Sequence, residues 1–227
     1  MKKIFFTIMA FLMSLPVFAS EANLVVPDIK SDATSYNLLL VGIAVAVVEA
    51  IFGLVEFARI KKIKVHPAME QVGTTIFETC KTYLVQQGKF LIVLEILIGL
   101  CIAYYFGVLE HMGFQGVGLI LLWSVIGILG SYFVAWFGIR MNTLANARTS
   151  FVALRSKPKH ILNIPLRAGM SIGVLLVSVE LILMLVILLF VPGNLAGACF
   201  IGFAIGESLG ASALRVEIGR ASCRERV

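Results

Sequence analysis

Five long runs of apolar residues, separated by shorter polar stretches, dominate the pattern of the chain. A helix that crosses a bilayer needs about 20 mainly apolar residues, and each run meets that length. The spans are predicted at about 38–57, 90–109, 116–139, 168–191 and 195–215. The pattern therefore predicts an all-α fold, a polytopic bundle of transmembrane helices with five spans.

The basic residues between the spans are confined to two of the polar stretches. One group follows span one and the other follows span three: Arg59, Lys61, Lys62, Lys64, Lys81 and Lys89, then Arg140, Arg148, Arg155, Lys157, Lys159 and Arg167. The two other connections, 110–115 and 192–194, contain no lysine or arginine. Since basic loops stay in the cytoplasm, the N-terminus is predicted to lie outside.

Two helices are predicted to extend beyond the membrane. Apolar residues recur at helical spacing from Met69 to Leu84, after His66-Pro67, and Gly88 is expected to interrupt this amphipathic helix before span two. Span three is expected to continue as a polar helix until Lys157-Pro158 stops it. Such projecting helices suggest an active region on the cytoplasmic side.

Both ends of the chain differ from the rest. Residues 1–19 combine two lysines, a short apolar run and a small-residue cleavage site, which predicts a signal peptide and leaves 20–37 as an extracytoplasmic tail. After Val216 the composition turns abruptly polar. Residues 217–227 resemble the in-frame translation of a sequencing-library adapter, and we expect this tail to be an artefact.

Composition excludes several classes of function. The 227 residues are 59% hydrophobic and 14% charged, with a mean hydropathy of +0.98. Soluble domains are about half apolar and about a quarter charged, so an ordinary soluble enzyme or a nucleic-acid module is not expected. The net charge of +6 is explained by the cytoplasmic loops. Membrane lipid, and no nucleic acid, is the predicted surrounding partner.

Four spans each contain one acid, which makes these acids candidates for function: Glu49, Glu95, Glu180 and Glu207. A carboxylate at mid-membrane costs about 2.5–3.5 kcal/mol on insertion scales, so each needs a reason to be there. The alternative is that each acid pairs with a basic or hydroxyl partner in the bundle and has only a structural role.

Span five carries the most polar residues among small ones. Glu207, Ser208, Ser212 and Arg215 form a candidate polar track, and Ser208 and Arg215 share one helix face. Arg215 either extends toward the membrane surface or links a cytoplasmic anion site to the polar pathway. No soluble-enzyme motif and no metal-ligand constellation is present, so neither a catalytic residue nor a metal ligand is predicted.

Four strings together resemble the membrane-bound, ion-translocating pyrophosphatases. They are IFETCKTYLVQQGKFL (76–91), MNTLANART (141–149), LRAGM (166–170) and GESLGASALR (206–215). The first string is most similar to the potassium-stimulated, sodium-pumping group. The similarity covers about 38–216 and follows the order of the family.

The resemblance implies a larger bundle that acts as a homodimer in the cell inner membrane. It implies hydrolysis of pyrophosphate with Mg²⁺ at the cytoplasmic face, coupled to outward pumping of Na⁺, with K⁺ as an optional activator. Arg215 and Ser208 match family residues important for transport, whereas Glu207 stands where the family usually has alanine and is assigned by hypothesis to a subgroup's ion path.

The Lys and Asp residues that bind pyrophosphate and Mg²⁺ in the family have no counterpart here. The chain is therefore expected to be an inactive N-terminal fragment of an active pump. Two alternatives stay open: a proton-translocating member of the same family, and a small non-enzymatic membrane protein with five spans.

Overall fold

The computed structural model describes the backbone of residues 33–154 and 158–224 and the side chains of residues 33–154 and 161–212. This part of the chain is helical and contains no strand. The helices are α1 (Ala33–Lys61), α2 (Pro67–Tyr104), α3 (Phe114–Ala153), α4 (Pro158–Phe190) and α5 (Gly193–Arg224), with a π-helical turn (Tyr105–Leu109) after α2. Each helix contains a segment long and apolar enough to cross a membrane, which confirms the all-α, five-span prediction.

The third helix lies at the centre of the bundle. It contacts all four other helices, whereas α1 packs mainly against α4. α1 and α4 run antiparallel, because Gly42 lies beside Leu185 and Gly53 lies beside Ser171. Alternating helix directions are what a chain that crosses a bilayer repeatedly must adopt. The side on which the N-terminus lies stays a prediction.

The expected interruption at Gly88 is wrong, since α2 continues through this residue without a break. The Tyr132 ring of α3 lies against Gly88, where an added Cβ would come within 3.2 Å of it, and the Tyr132 hydroxyl donates a hydrogen bond to the Leu84 carbonyl oxygen at 3.1 Å. Gly88 therefore admits an aromatic ring between two helices. The expected start of α2 is confirmed, because His66 caps it and Pro67 is its first residue.

Other helix ends lie close to their predicted positions or extend beyond them. α3 ends at Ala153, as the Lys157-Pro158 stop predicts. α4 begins at Pro158, ten residues before the predicted span, because proline is favourable at the start of a helix. α1 begins at Ala33, so the last residues of the predicted tail 20–37 belong to it. The predicted signal peptide 1–19 lies outside the described residues.

We expect each hydrogen bond between the helices to contribute modestly. The buried Ser171 hydroxyl donates to the Gly53 carbonyl oxygen across the α1–α4 contact at 2.7 Å. Ser171→Ala should lower the free energy of unfolding by about 0.6 kcal/mol, the average for such bonds in membranes. The matched control is Ser178→Ala, because the equally buried Ser178 donates only to Val174 of its own helix. Reversible unfolding in mixed detergent micelles measures both, and a larger loss for Ser178→Ala contradicts this assignment.

Candidate ion-transfer site

The backbones of α3 and α5 touch through glycines spaced four apart. Gly202, Gly206 and Gly210 of α5 face α3, where an added Cβ at Gly202 would lie 2.6 Å from the Ile120 carbonyl oxygen. In return Gly127 of α3 faces α5, and its Cβ would lie 2.5 Å from the Phe203 carbonyl oxygen. Small residues at this spacing are typical of close helix packing in lipid. The contact fixes the rotation of α5 about its axis.

This rotation brings Glu207 of α5 to Glu180 of α4. The two carboxyl groups lie within hydrogen-bonding distance of each other. Each residue lies near the middle of its predicted span, although their positions in the sequence are far apart. The structure thus joins two of the four acids that the sequence singled out.

A small cavity of about 10 Å³ adjoins this carboxyl pair. Its walls come from α3, α4 and α5: Gly127, Gly130, Ser131, Val134, Leu176, Val179, Leu183 and Phe203 complete the lining with the two acids. The Ser131 hydroxyl donates to the Glu207 backbone carbonyl oxygen at 3.0 Å. This volume is close to the smallest that holds one water molecule. The arrangement can therefore bind a proton and one water, and it leaves no room for a larger ligand.

The polar track predicted along α5 is divided in the structure. Glu207 is half-buried toward α3 and α4, whereas Ser208 is exposed and lines an open groove with Ala204 and Ser212. Neighbouring residues on a helix point about 100° apart, so this separation follows from the glycine contact. The side chain of Arg215 lies outside the described residues, and its position beside Ser208 stays a prediction.

The other two membrane acids lie elsewhere. Glu49 of α1 is half-buried and takes no part in the cavity at Glu180. Glu95 of α2 is also half-buried, and among the described residues its buried Oε2 atom has no hydrogen-bond partner. The basic or hydroxyl partner expected for a purely structural acid is therefore not seen for that oxygen of Glu95.

Sequence reasoning missed Glu56, which is one of the most deeply buried charged groups described. It is only 4% exposed and contacts two arginines, Arg59 of its own helix and Arg167 of α4. The acid stands just beside the first basic stretch, where it resembles an ordinary surface charge. Its three-residue spacing from Arg59 is a signal that could have found the ion pair.

Within residues 33–154 and 161–212, no group of three His, Cys, Asp or Glu side chains is placed to hold a metal ion. The described residues therefore do not form a Mg²⁺ site, and no chemical step that uses Mg²⁺ is assigned to them.

Comparisons with known proteins give one family and one curated relative. Residues 46–219 match the family described as inorganic H⁺ pyrophosphatase. The chain is 56% identical over 178 residues to a K⁺-insensitive pyrophosphate-energized proton pump from Chlorobaculum tepidum. The match covers 78% of this chain and 24% of the relative, so the chain spans about a quarter of the relative's length. No solved structure matches.

These findings correct the assignment to the potassium-stimulated, sodium-pumping group, which is wrong. The similar protein is a proton pump that is insensitive to K⁺, which also removes the expectation of transported Na⁺ and of K⁺ as an activator. The assignment depended on the string 76–91, whose residues make packing contacts with α3. Phe77 lies under the Arg140 guanidinium, and none of the string lines the cavity at Glu180. Such contacts stabilise the bundle and do not select an ion.

Proposed function

Since the chain belongs to the inorganic H⁺ pyrophosphatase family, we propose that it forms part of a membrane protein that couples pyrophosphate hydrolysis to proton transport. The Glu180–Glu207 pair is the observation that supports this proposal. Its place among the membrane-spanning segments suits a role in moving ions, and its small cavity suits a proton. The prediction of a multi-pass membrane protein is confirmed, whereas assembly as a homodimer stays a prediction.

The pair is proposed to hold one proton between its two carboxyl groups. Two like charges at hydrogen-bonding distance disfavour the state in which both carboxyls are ionised, and a low-dielectric surrounding strengthens this effect. One shared proton leaves a single negative charge on the pair. Release and uptake of that proton through the adjoining water-sized cavity is the step in which we expect these residues to act.

Hydrolysis of pyrophosphate is proposed for the complete protein. Members of the family are expected to use Mg²⁺, but the described residues do not provide a site for it. We propose that this chain contributes a part of the transport path through the membrane. Ser208 and Arg215 are proposed, from the family resemblance, to take part in transport as well, although Ser208 lies about 100° around α5 from Glu207 and outside the cavity of the acid pair.

The proposal is tested by replacing each acid of the pair with its neutral amide. In inverted membrane vesicles that contain the complete protein, Glu207→Gln and Glu180→Gln should lower the number of protons transported per pyrophosphate hydrolysed by about 100-fold, a typical contribution of a proton-transferring group. A pH-sensitive dye measures proton uptake, and phosphate release measures hydrolysis in the same vesicles.

Glu49→Gln serves as the matched control, because it neutralises a half-buried acid of another span that does not line the cavity. Its ratio of transport to hydrolysis should stay unchanged. An unchanged ratio in Glu207→Gln, with normal amounts of protein, would refute the role of the pair. Loss of protein from the membrane without any change in the ratio would show that the acids serve only assembly.

A further inference from the structure

A groove opens between α1 and α4 at the ends that are predicted to face the cytoplasm. It has a volume of about 390 Å³. Two arginines, Arg59 and Arg167, line it beside an apolar wall formed by Ile60, Ile63, Val152 and Ile164. We call this feature the arginine groove. None of its residues belongs to the cavity at Glu180 and Glu207.

The charge of the arginine groove is incompletely neutralised. Arg59 Nη1 lies 2.5 Å from Glu56 Oε1, and Arg167 Nη1 lies 3.9 Å from Glu56 Oε2. Glu56 is therefore one carboxylate shared by two guanidinium groups, and the trio carries one net positive charge. The side chains of Arg59 and Arg167 are 61% and 49% exposed, against 5% for Glu56. Most of the N–H groups of the arginines thus remain free to bind a ligand.

The depth of the groove matches the headgroup layer of a bilayer. Arg59 follows the apolar run of α1, and Arg167 directly precedes the apolar run of α4. Basic pockets between transmembrane helices at this level are suited to anionic lipid headgroups. Ile63 and Val152 of the wall are half-buried and offer an apolar surface to the first carbons of the acyl chains.

We propose that the arginine groove binds the phosphate headgroup of an anionic phospholipid. A phosphodiester carries one negative charge, which balances the one net positive charge of Glu56, Arg59 and Arg167. The acyl chains of a lipid can also contact the apolar wall of the groove, which a free inorganic anion cannot do. The inference depends on the membrane location of the chain and does not depend on the proposed pumping of protons.

Native mass spectrometry of the complete protein in detergent tests the proposal. The probes are phosphatidylglycerol, the zwitterionic phosphatidylcholine, and inorganic phosphate as a competitor. Glu56→Gln should raise the affinity for phosphatidylglycerol about fivefold, because it adds one net positive charge to the groove. Arg59→Gln with Arg167→Gln should lower it about 25-fold, with about fivefold for each charge.

The double arginine variant leaves Glu56 buried without a partner, and this state can destabilise the protein. The triple variant with Glu56→Gln in addition removes that unpaired charge, and it should lower lipid binding about fivefold, because the trio then loses only one net positive charge. Lys81→Gln with Lys89→Gln is the matched control, because it removes two positive charges from the same side of the membrane, outside the groove.

Three results would overturn the proposal. Equal binding of phosphatidylcholine and phosphatidylglycerol would show that charge is not recognised. Full competition by inorganic phosphate would identify the ligand as a free anion. An equal loss in the lysine control would show that only the total charge of the protein matters. None of these measurements depends on the rate of pyrophosphate hydrolysis. Failure of the lipid-binding proposal can therefore be distinguished from failure of the proposed function.

Discussion

Gly206→Ala should prevent α3 and α5 from packing and should destabilise the protein by about 3 kcal/mol or more. The added methyl group would overlap the carbonyl oxygen of Ser124, which belongs to helix backbone and cannot move without breaking the hydrogen bonds of α3. The helices would have to separate, and Glu207 would then move away from Glu180. We expect a large fall in the melting temperature of the purified protein and in its amount in the membrane.

The controls for this variant are Gly118→Ala in α3 and Gly173→Ala in α4. An added Cβ at either position meets no atom within 4 Å, and alanine favours a helix more than glycine does. Both should therefore leave stability unchanged or slightly raised. Thermal unfolding of fluorescent fusions, followed by size-exclusion chromatography, compares all three. Equal behaviour of Gly206→Ala and the controls would mean that α3 and α5 are not in backbone contact.

Arg148→Met should destabilise the protein by about 3 kcal/mol, since each hydrogen bond from a charged group contributes about 1.5–3 kcal/mol. Arg148 is 4% exposed and donates from Nη2 to the Lys61 carbonyl oxygen at 2.9 Å. That oxygen lies at the last residue of α1, where helix carbonyls lack partners within the helix. A cation at the C-terminal end of a helix is also favourable. Loss of Arg148 therefore detaches the end of α1 from α3.

The surroundings of Arg148 support this role. The residue lies beyond the predicted span 116–139, and burial lowers the pKa of its guanidinium while the nearby Glu70 carboxylate raises it. Arg140→Met is the matched control on the same helix, because the half-buried Arg140 stacks over the Phe77 ring and should contribute only about 0.5–1 kcal/mol through this contact. A smaller loss for Arg148→Met than for Arg140→Met, measured by thermal unfolding, would contradict the capping role.

The membrane acids show how much of the candidate site could be predicted from the sequence. Both members of the proposed proton-binding pair, Glu180 and Glu207, are recognisable by their cost in an apolar run. Their partnership is not recognisable, because it depends on the rotation of α5 that the glycine contact sets. Glu56 was not predicted for a related reason. It lies at the end of a span, and its burial depends on the packing of α4 over it.

The sequence by itself determined the number of spans, the distribution of charge between loops and the helix boundaries at His66-Pro67 and Lys157-Pro158. These properties are local, because the length of an apolar run is matched to the thickness of a bilayer and proline acts on its immediate neighbours. Only the tertiary structure decided that Gly88 accepts a tyrosine ring within a continuous helix, and which side chains of α5 face inward. Those outcomes depend on close approach between helices that are distant in the sequence. The pattern of residues along the chain does not specify the distances between these helices in space.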